Sequence, residues 1–464
     1  MSNFRARWAH WNALALVLSL TAPSSWAASL SDIWLAVTAH SPEAASALFS
    51  KQAGQHRLEQ AKALWRPQVS LGAGVGQMTA NNQLTGAHFV APSFGASNGV
   101  DFGTSIRQGN ANNWMLEIQQ PLINAQLKTQ SAQLKTSSQM AELEYASAHN
   151  TLMLATVQTY FQWLSLKQQL ESLERHGFAV KNLREQAQER FKVGDVAVTD
   201  MLEAQAQEQS LEVQKTHLIQ QIKNVQQVLT DVTGWSSHQF SDMKTRMVSY
   251  RVDSPSNLDS YQQKAHSQNI SIRLLKSQLE LEQERSKSHQ WESQPSLALL
   301  ARSMQQRVDG HGDFGNSTMN NRQQYVGLQL NIPLYSGGLT SAQHSESMAQ
   351  IQKLQMDIQA AQLHVDEAIQ NQWVRWQSHD KDLAAALSLS AAHQKRLEAT
   401  QLAYEVGDRS LPDLLRAQAE SAQAEVNVYQ QRLNVLLNQL SLFALQGPLG
   451  MDQLQTLDAQ FRLN

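Results

Sequence analysis

Fifteen histidines and forty acidic residues give this 464-residue chain ample acid, base and ligand chemistry, but their spacing gathers none of it. A helical metal site needs ligands about one turn apart, and His364, His379 and His393 are too widely spaced to share one. Asp309-Gly310-His311-Gly312-Asp313 sets two carboxylates around an imidazole, in a composition expected of an exposed loop. Gly72-Ala73-Gly74-Val75-Gly76 has the glycines of a phosphate loop, but they fall in an alternating run with no helix behind it. No serine, histidine and acid are arranged for nucleophilic chemistry, and no carboxylate pair stands apart. The lack of cysteine excludes disulfides, thiolate metal sites and a lipid-bearing cysteine. The expectation is a protein that is not an enzyme and uses no cofactor and no metal. A net charge of −3 offers nothing to nucleic acid.

What does recur is a charged stretch centred on a glycine. Phe191-Lys192-Val193-Gly194-Asp195 is followed by Asp200-Met201-Leu202-Glu203-Ala204-Gln205-Ala206. Tyr404-Glu405-Val406-Gly407-Asp408 is followed by Asp413-Leu414-Leu415-Arg416-Ala417-Gln418-Ala419. One offset of 213 residues relates the two glycines, the aspartates 200 and 413, and, upstream, Tyr160 and Trp163 to Trp373 and Trp376. Matches at one fixed offset mark an internal duplication, with each tip joining a long helix to a returning one.

The elements that carry the tips follow from periodicity. Residues 1–27 read as a secretory signal: Arg5 and Arg7, the apolar Trp11–Leu20, then Ser25-Trp26-Ala27 with cleavage expected after Ala27. Residues 28–233 form the first repeat and 261–446 the second, separated by a linker at 234–260 and followed by a tail at 447–464. Leu30, Ile33, Trp34 and Val37 make an apolar helical stripe. Val69, Leu71, Ala73 and Val75 alternate with small and polar residues, as do Trp114, Leu116 and Ile118, giving a β-hairpin at about 68–120. Its connection, roughly Thr79–Asn112, reads as a polar loop. In the second repeat a hairpin at about 295–333 pairs a short strand near Leu297–Ala301 with Val326–Ile332 across a loop at about Arg307–Arg322. Between Pro121 and Gly177, and over Leu339–Tyr404, there is neither glycine nor proline. The first of these helical stretches continues to about Arg190, so each extends about 100 Å, which demands a coiled coil or a bundle. Leu218, Ile222, Val225 and Leu229 step 4-3-4 along the first return helix, a coiled-coil seam.

The fold class is therefore mainly α with a β-barrel contribution: two long helical hairpins with tips at 193–195 and 406–408, and two β-hairpins. Four strands cannot close a barrel alone, and open edges are not tolerated in lipid, but several chains could close one together. Trp65, Trp114, Tyr325 and Tyr335 suit an interfacial belt or packing anchors. The alternative is a periplasmic coiled-coil adaptor without a barrel.

The whole mature chain resembles the TolC-like outer-membrane efflux proteins. The most specific likeness lies in the tips Phe191–Ala206 and Tyr404–Ala419 and the strand–proline junctions at Pro121 and Pro333. The resemblance implies a homotrimer with a twelve-stranded barrel in outer-membrane lipid and an α-helical tunnel across the periplasm. It also implies a periplasmic adaptor (membrane fusion) protein and an inner-membrane transporter, ABC-type or proton-driven, as partners. A chain without the lipidated cysteine falls with the branch that serves type I protein secretion as well as drug efflux. The residues matching the family's entrance gate are Thr199 and Asp200 in the first repeat and Tyr404 and Arg409 in the second. Asp200 and Asp413 would equally cap the helices they begin. The family's entrance ring carries two aspartates one turn apart. Asp413 matches the first, but Arg416 stands at the second and weakens the expected cation field. Val193, Gly194, Asp195, Val406, Gly407 and Asp408 match the tips that meet the adaptor.

Overall fold

A computed structural model describes residues 29–93, 95–194, 196–241, 245–247, 257–291, 294–313, 315–459 and 461–463. The expected signal at 1–27, residues 242–244 and 248–256 of the linker, and the tip residue Asp195 lie outside the described residues.

The first helical stretch is two helices, α1 (Leu30–His40) and α2 (Pro42–Ala63). Ser41 divides them in an extended conformation and caps the second, with Pro42 at its first position. Two long strands follow, β1 (Gln68–Ala91) and β2 (Gly95–Ile123), then the 68-residue helix α3 (Ala125–Lys192) and its return α4 (Val198–Thr233). A short helix α5 (Ser237–Ser241) and strand β3 (Thr245–Met247) occupy the linker. The second repeat opens with α6 (Leu258–Gln268) and α7 (Ile270–Trp291), parted at Asn269, and continues through β4 (Ser296–Gly312) and β5 (Gly315–Asn331). The 67-residue α8 (Leu339–Glu405) and its return α9 (Leu411–Gln446) complete it. The tail is ordered into α10 (Met451–Asp458) and β6 (Phe461–Leu463), which pairs with β3.

Two expected loops are strands. Residues 79–112 and 307–322 continue the β1–β2 and β4–β5 ladders almost to their tips. Asp309 and His311 sit within β4, where Asp309 pairs with Arg307 at 2.8 Å and accepts from Thr318. Where both faces of a strand are polar, the backbone ladder still forms but no apolar alternation betrays it. The same extension puts Trp114 and Tyr325 inside strands, not at their ends, and Tyr325 lies across Gly327.

The sheet runs β1-β2-β4-β5, antiparallel throughout, so β1 and β5 are its edges. Its register puts Val69, Ile118, Ala301 and Val326 on one rung, flanked by Leu71, Leu116, Leu299, Leu328 and Leu330 on the same face. Val75 is 86 % and Val326 77 % exposed, so this apolar face is uncovered in the single chain. The rung Ser70, Glu117, Arg302 and Tyr325 belongs to the other face, and Arg302 pairs with Glu117 at 2.5 Å.

The helices pack around three cores. The largest gathers α1, the middle of α3, α4, α5, α9 and α10 around Tyr160, Trp163, Phe240 and Leu436. A second joins the tip ends of α3, α4 and α9, and a third holds α6 and α7 against α8 and α9 through Ala265, Ile272, Ile369 and Leu442. Along α4, Leu229 is fully buried and Leu218 nearly so, and Ile222 and Val225 pack against the largest core, as the 4-3-4 seam requires. No described helix is long and apolar enough to cross a membrane.

Candidate functional site

Each hairpin turns on a glycine in the left-handed region, Gly194 at φ 78° and Gly407 at φ 85°. A side chain is strained there, which explains glycine at both positions. Before them, Val193 is 80 % and Val406 81 % exposed, two apolar side chains at the far ends of the hairpins. Behind the tips the hairpins are welded together by Val180, Leu183 and Ala187 of α3, Ala204 and Leu211 of α4, and Leu411, Leu414 and Leu415 of α9. Ion pairs brace this region: Arg184 with Glu208 at 2.6 Å between α3 and α4, and Arg175 with Glu425 at 2.7 Å between α3 and α9.

Tyr404, the last but one residue of α8, is half-buried against that core. The guanidinium of Arg190 on α3 lies 5.9 Å from its ring centroid, so the aromatic links the second tip to the first. Arg190 was not legible as a site residue, since nothing in its local sequence reveals a partner 214 positions away.

Asp200 and Asp413 occupy equivalent positions, the third residue of α4 and of α9, but are held differently. Ser410 caps α9. Its hydroxyl donates to the Asp413 carboxylate at 2.8 Å, and the carboxylate accepts the Ser410 N–H at 3.4 Å. Those bonds, with Arg409 and Arg416 nearby, hold the Asp413 carboxyl below the usual aspartate range. At α4 the capping position is Ala197, which has no side chain to offer. Among the described residues the Asp200 side chain forms no hydrogen bond or ion pair, and the exposed Thr199 adds none. Arg409 is exposed and contributes to the field at Asp413; within one chain it is not paired with Asp200. Arg416 is exposed one turn into α9. Asp408 follows Gly407, its N–H bonded to Ala403 O at 2.8 Å to close the helix end. Among the described residues, no group of three or more histidines and carboxylates could hold a metal ion.

A sheet with one uncovered apolar face and two unpaired edges, at the end of a helical shaft about 100 Å long, fits a channel protomer that meets the membrane through strands, since no described helix could cross it. A barrel-free adaptor does not explain that sheet. The chain belongs to the outer membrane efflux protein family, whose sequence profile matches residues 36–235 and again 262–448, once for each repeat. It is an outer-membrane exit duct whose helical tunnel extends into the periplasm, serving efflux or type I secretion. It is 22% identical over 466 residues to the outer membrane protein TolC of Vibrio cholerae, covering 97% of this chain and 98% of that one. It is 21% identical to the proteases secretion protein PrtF of Dickeya chrysanthemi, covering 97% and 94%. Among solved structures it is similar to the outer membrane protein VceC of Vibrio cholerae, with TM-score 0.68, 16% identity, and 90% and 96% coverage. A membrane protein of Pseudomonas aeruginosa has TM-score 0.71, 12% identity, and 90% coverage of both chains. These structural likenesses establish the fold.

Proposed function

We propose that three copies of this chain close a twelve-stranded barrel by pairing β1 of one copy with β5 of the next. The observation that carries this reading is the pair of free edges on a four-stranded sheet whose one apolar face is uncovered. Barrel closure satisfies the edge N–H and C=O groups and gives the apolar face to lipid. The Glu117–Arg302 pair then faces the lumen. The helical hairpins line up into a tunnel, and its entrance is at the tips. The duct performs no reaction of its own; it receives cargo from a periplasmic adaptor and an inner-membrane transporter. Val193 and Val406 offer the adaptor apolar contacts beside Gly194 and Gly407, with Asp195 and Asp408 next to them.

The gate is formed by Thr199 and Asp200 of one tip with Tyr404 and Arg409 of the other. Asp200 suits a latch better than Asp413 does, because Asp413 is committed to its capping box and Asp200 has no side-chain partner among the described residues of its own chain. Threefold symmetry brings the Asp413 and Arg416 side chains around one opening, where arginines offset the carboxylates. Such an entrance lacks strong cation selectivity.

Cysteine pairs placed along β1 and β5 test the reading. Closure gives disulfide-linked trimers in outer-membrane fractions at one strand register and not at registers one residue away. Linked dimers that never reach trimers, or protein recovered only in the soluble periplasm, would overturn it.

A further inference from the structure

The start of α1 is capped from the opposite end of the chain. A helix begins with backbone N–H groups that lack partners inside it. Here the Ser29 N–H donates to Asp32 at 2.9 Å, and the Asp32 N–H donates to the Ser29 hydroxyl at 3.1 Å. The two N–H groups between them are taken by one distant carboxylate. Leu30 donates to Asp458 at 2.7 Å and Ser31 at 3.0 Å, and the Ser31 hydroxyl also donates to Asp458. These bonds span 427 and 428 residues of sequence.

Asp458 is brought there by a segment fixed at three further points. Buried Asn150 on α3 donates to Gly447 O at 2.9 Å and accepts the Leu449 N–H at 2.8 Å. Leu454 and Leu457 of α10 are buried in the same core as Leu30, Ile33 and Trp34 of α1. Beyond α10, β6 pairs with β3. We infer that residues 447–463 form a closing strap, and that α1 cannot seat until Asp458 arrives to cap it. A chain is made and exported from its N-terminal end, so α1 is among the first elements available and among the last to dock. The strap thus serves as a completeness check: a chain lacking it leaves the Leu30 and Ser31 N–H groups without Asp458 and removes Leu454 and Leu457 from the core against which Leu30, Ile33, Trp34 and Val37 pack.

The decisive experiment is residue-resolved amide hydrogen exchange on the purified full-length Asp458→Ala variant, with refolding followed through Trp34. It reads a single protomer and does not depend on the proposed trimer. The expected result is exchange faster by about tenfold or more at Leu30 and Ser31, the scale of a lost helix cap, with the Asp32 amide still protected by Ser29. Burial of Trp34 should slow in step, and Asp458→Asn, which keeps one oxygen acceptor, should fall between. Wild-type protection at Leu30 and Ser31 would overturn the inference, as would lost protection with Trp34 buried at the wild-type rate. If Asp458→Ala does not fold, Ser31→Ala removes only the hydroxyl bond. A smaller increase at the same two amides supports the strap, and none counts against it.

Discussion

Removing the Tyr404 ring should open the entrance, because the ring ties α8 to Arg190 of α3 beside the tips. Arg190 lies 5.9 Å from the ring centroid, and both residues are half-buried. A cation–π contact at so accessible a site is worth about 0.5–1 kcal/mol. Three symmetric copies would then contribute about 1.5–3 kcal/mol to the closed state, and with about 1.4 kcal/mol per tenfold, the open population should rise roughly ten- to hundredfold. The perturbation is Tyr404→Ala, measured as single-channel conductance in planar bilayers on preparations with normal trimer yield. Tyr404→Phe keeps the ring over which Arg190 sits and should stay near wild type alone, gaining conductance when combined with Arg409→Ser. Asp200→Ala should give part of the same gain. If Tyr404→Ala leaves conductance unchanged with trimers intact, the ring is packing only. If Tyr404→Phe opens the channel as far as Tyr404→Ala, the hydroxyl and not the ring holds the latch.

Acid sensitivity follows from Asp413. Its folded carboxyl titrates below the ordinary aspartate value, chiefly through the Ser410 hydrogen bond, so its contribution is complete above about pH 3.9 and lost as pH falls through the folded value. Ser410→Ala should therefore lower thermal stability at neutral pH and shrink the difference between neutral and strongly acidic melts; an unaltered difference would refute the capping role. A short polar tag inserted at Pro92-Ser93, the turn between β1 and β2, should leave outer-membrane yield intact. The same tag between Asn110 and Ala111 should abolish it by breaking the ladders to β1 and β4; equal yields would show those strands are dispensable. Ile369 is fully buried between the second-repeat helices, so Ile369→Ala should cost about 2–5 kcal/mol in denaturant melts without changing conductance.

Local patterns along the chain carry the plan of the molecule. The 213-residue offset, the absence of glycine and proline over Leu339–Tyr404, and the alternation at Val69–Val75 and Val326–Ile332 are local patterns, each with one structural solution. So were the glycine tips, since left-handed backbone favours glycine wherever it occurs. Strand length was not legible, because beyond the apolar alternation the ladders are held by backbone hydrogen bonds that leave no periodic mark. Residues 79–91 and 95–112 therefore read as loop and fold as strand. Partners distant in sequence were equally hidden. Only the packed structure puts Arg190 over Tyr404, welds both tips through Leu411, Leu414 and Leu415, and carries Asp458 back to Leu30 and Ser31. It also separates the equivalent aspartates. Ser410 and Ala197 are both small residues, yet a hydroxyl ties Asp413 to its own helix, and its absence leaves the start of α4 without a side-chain cap.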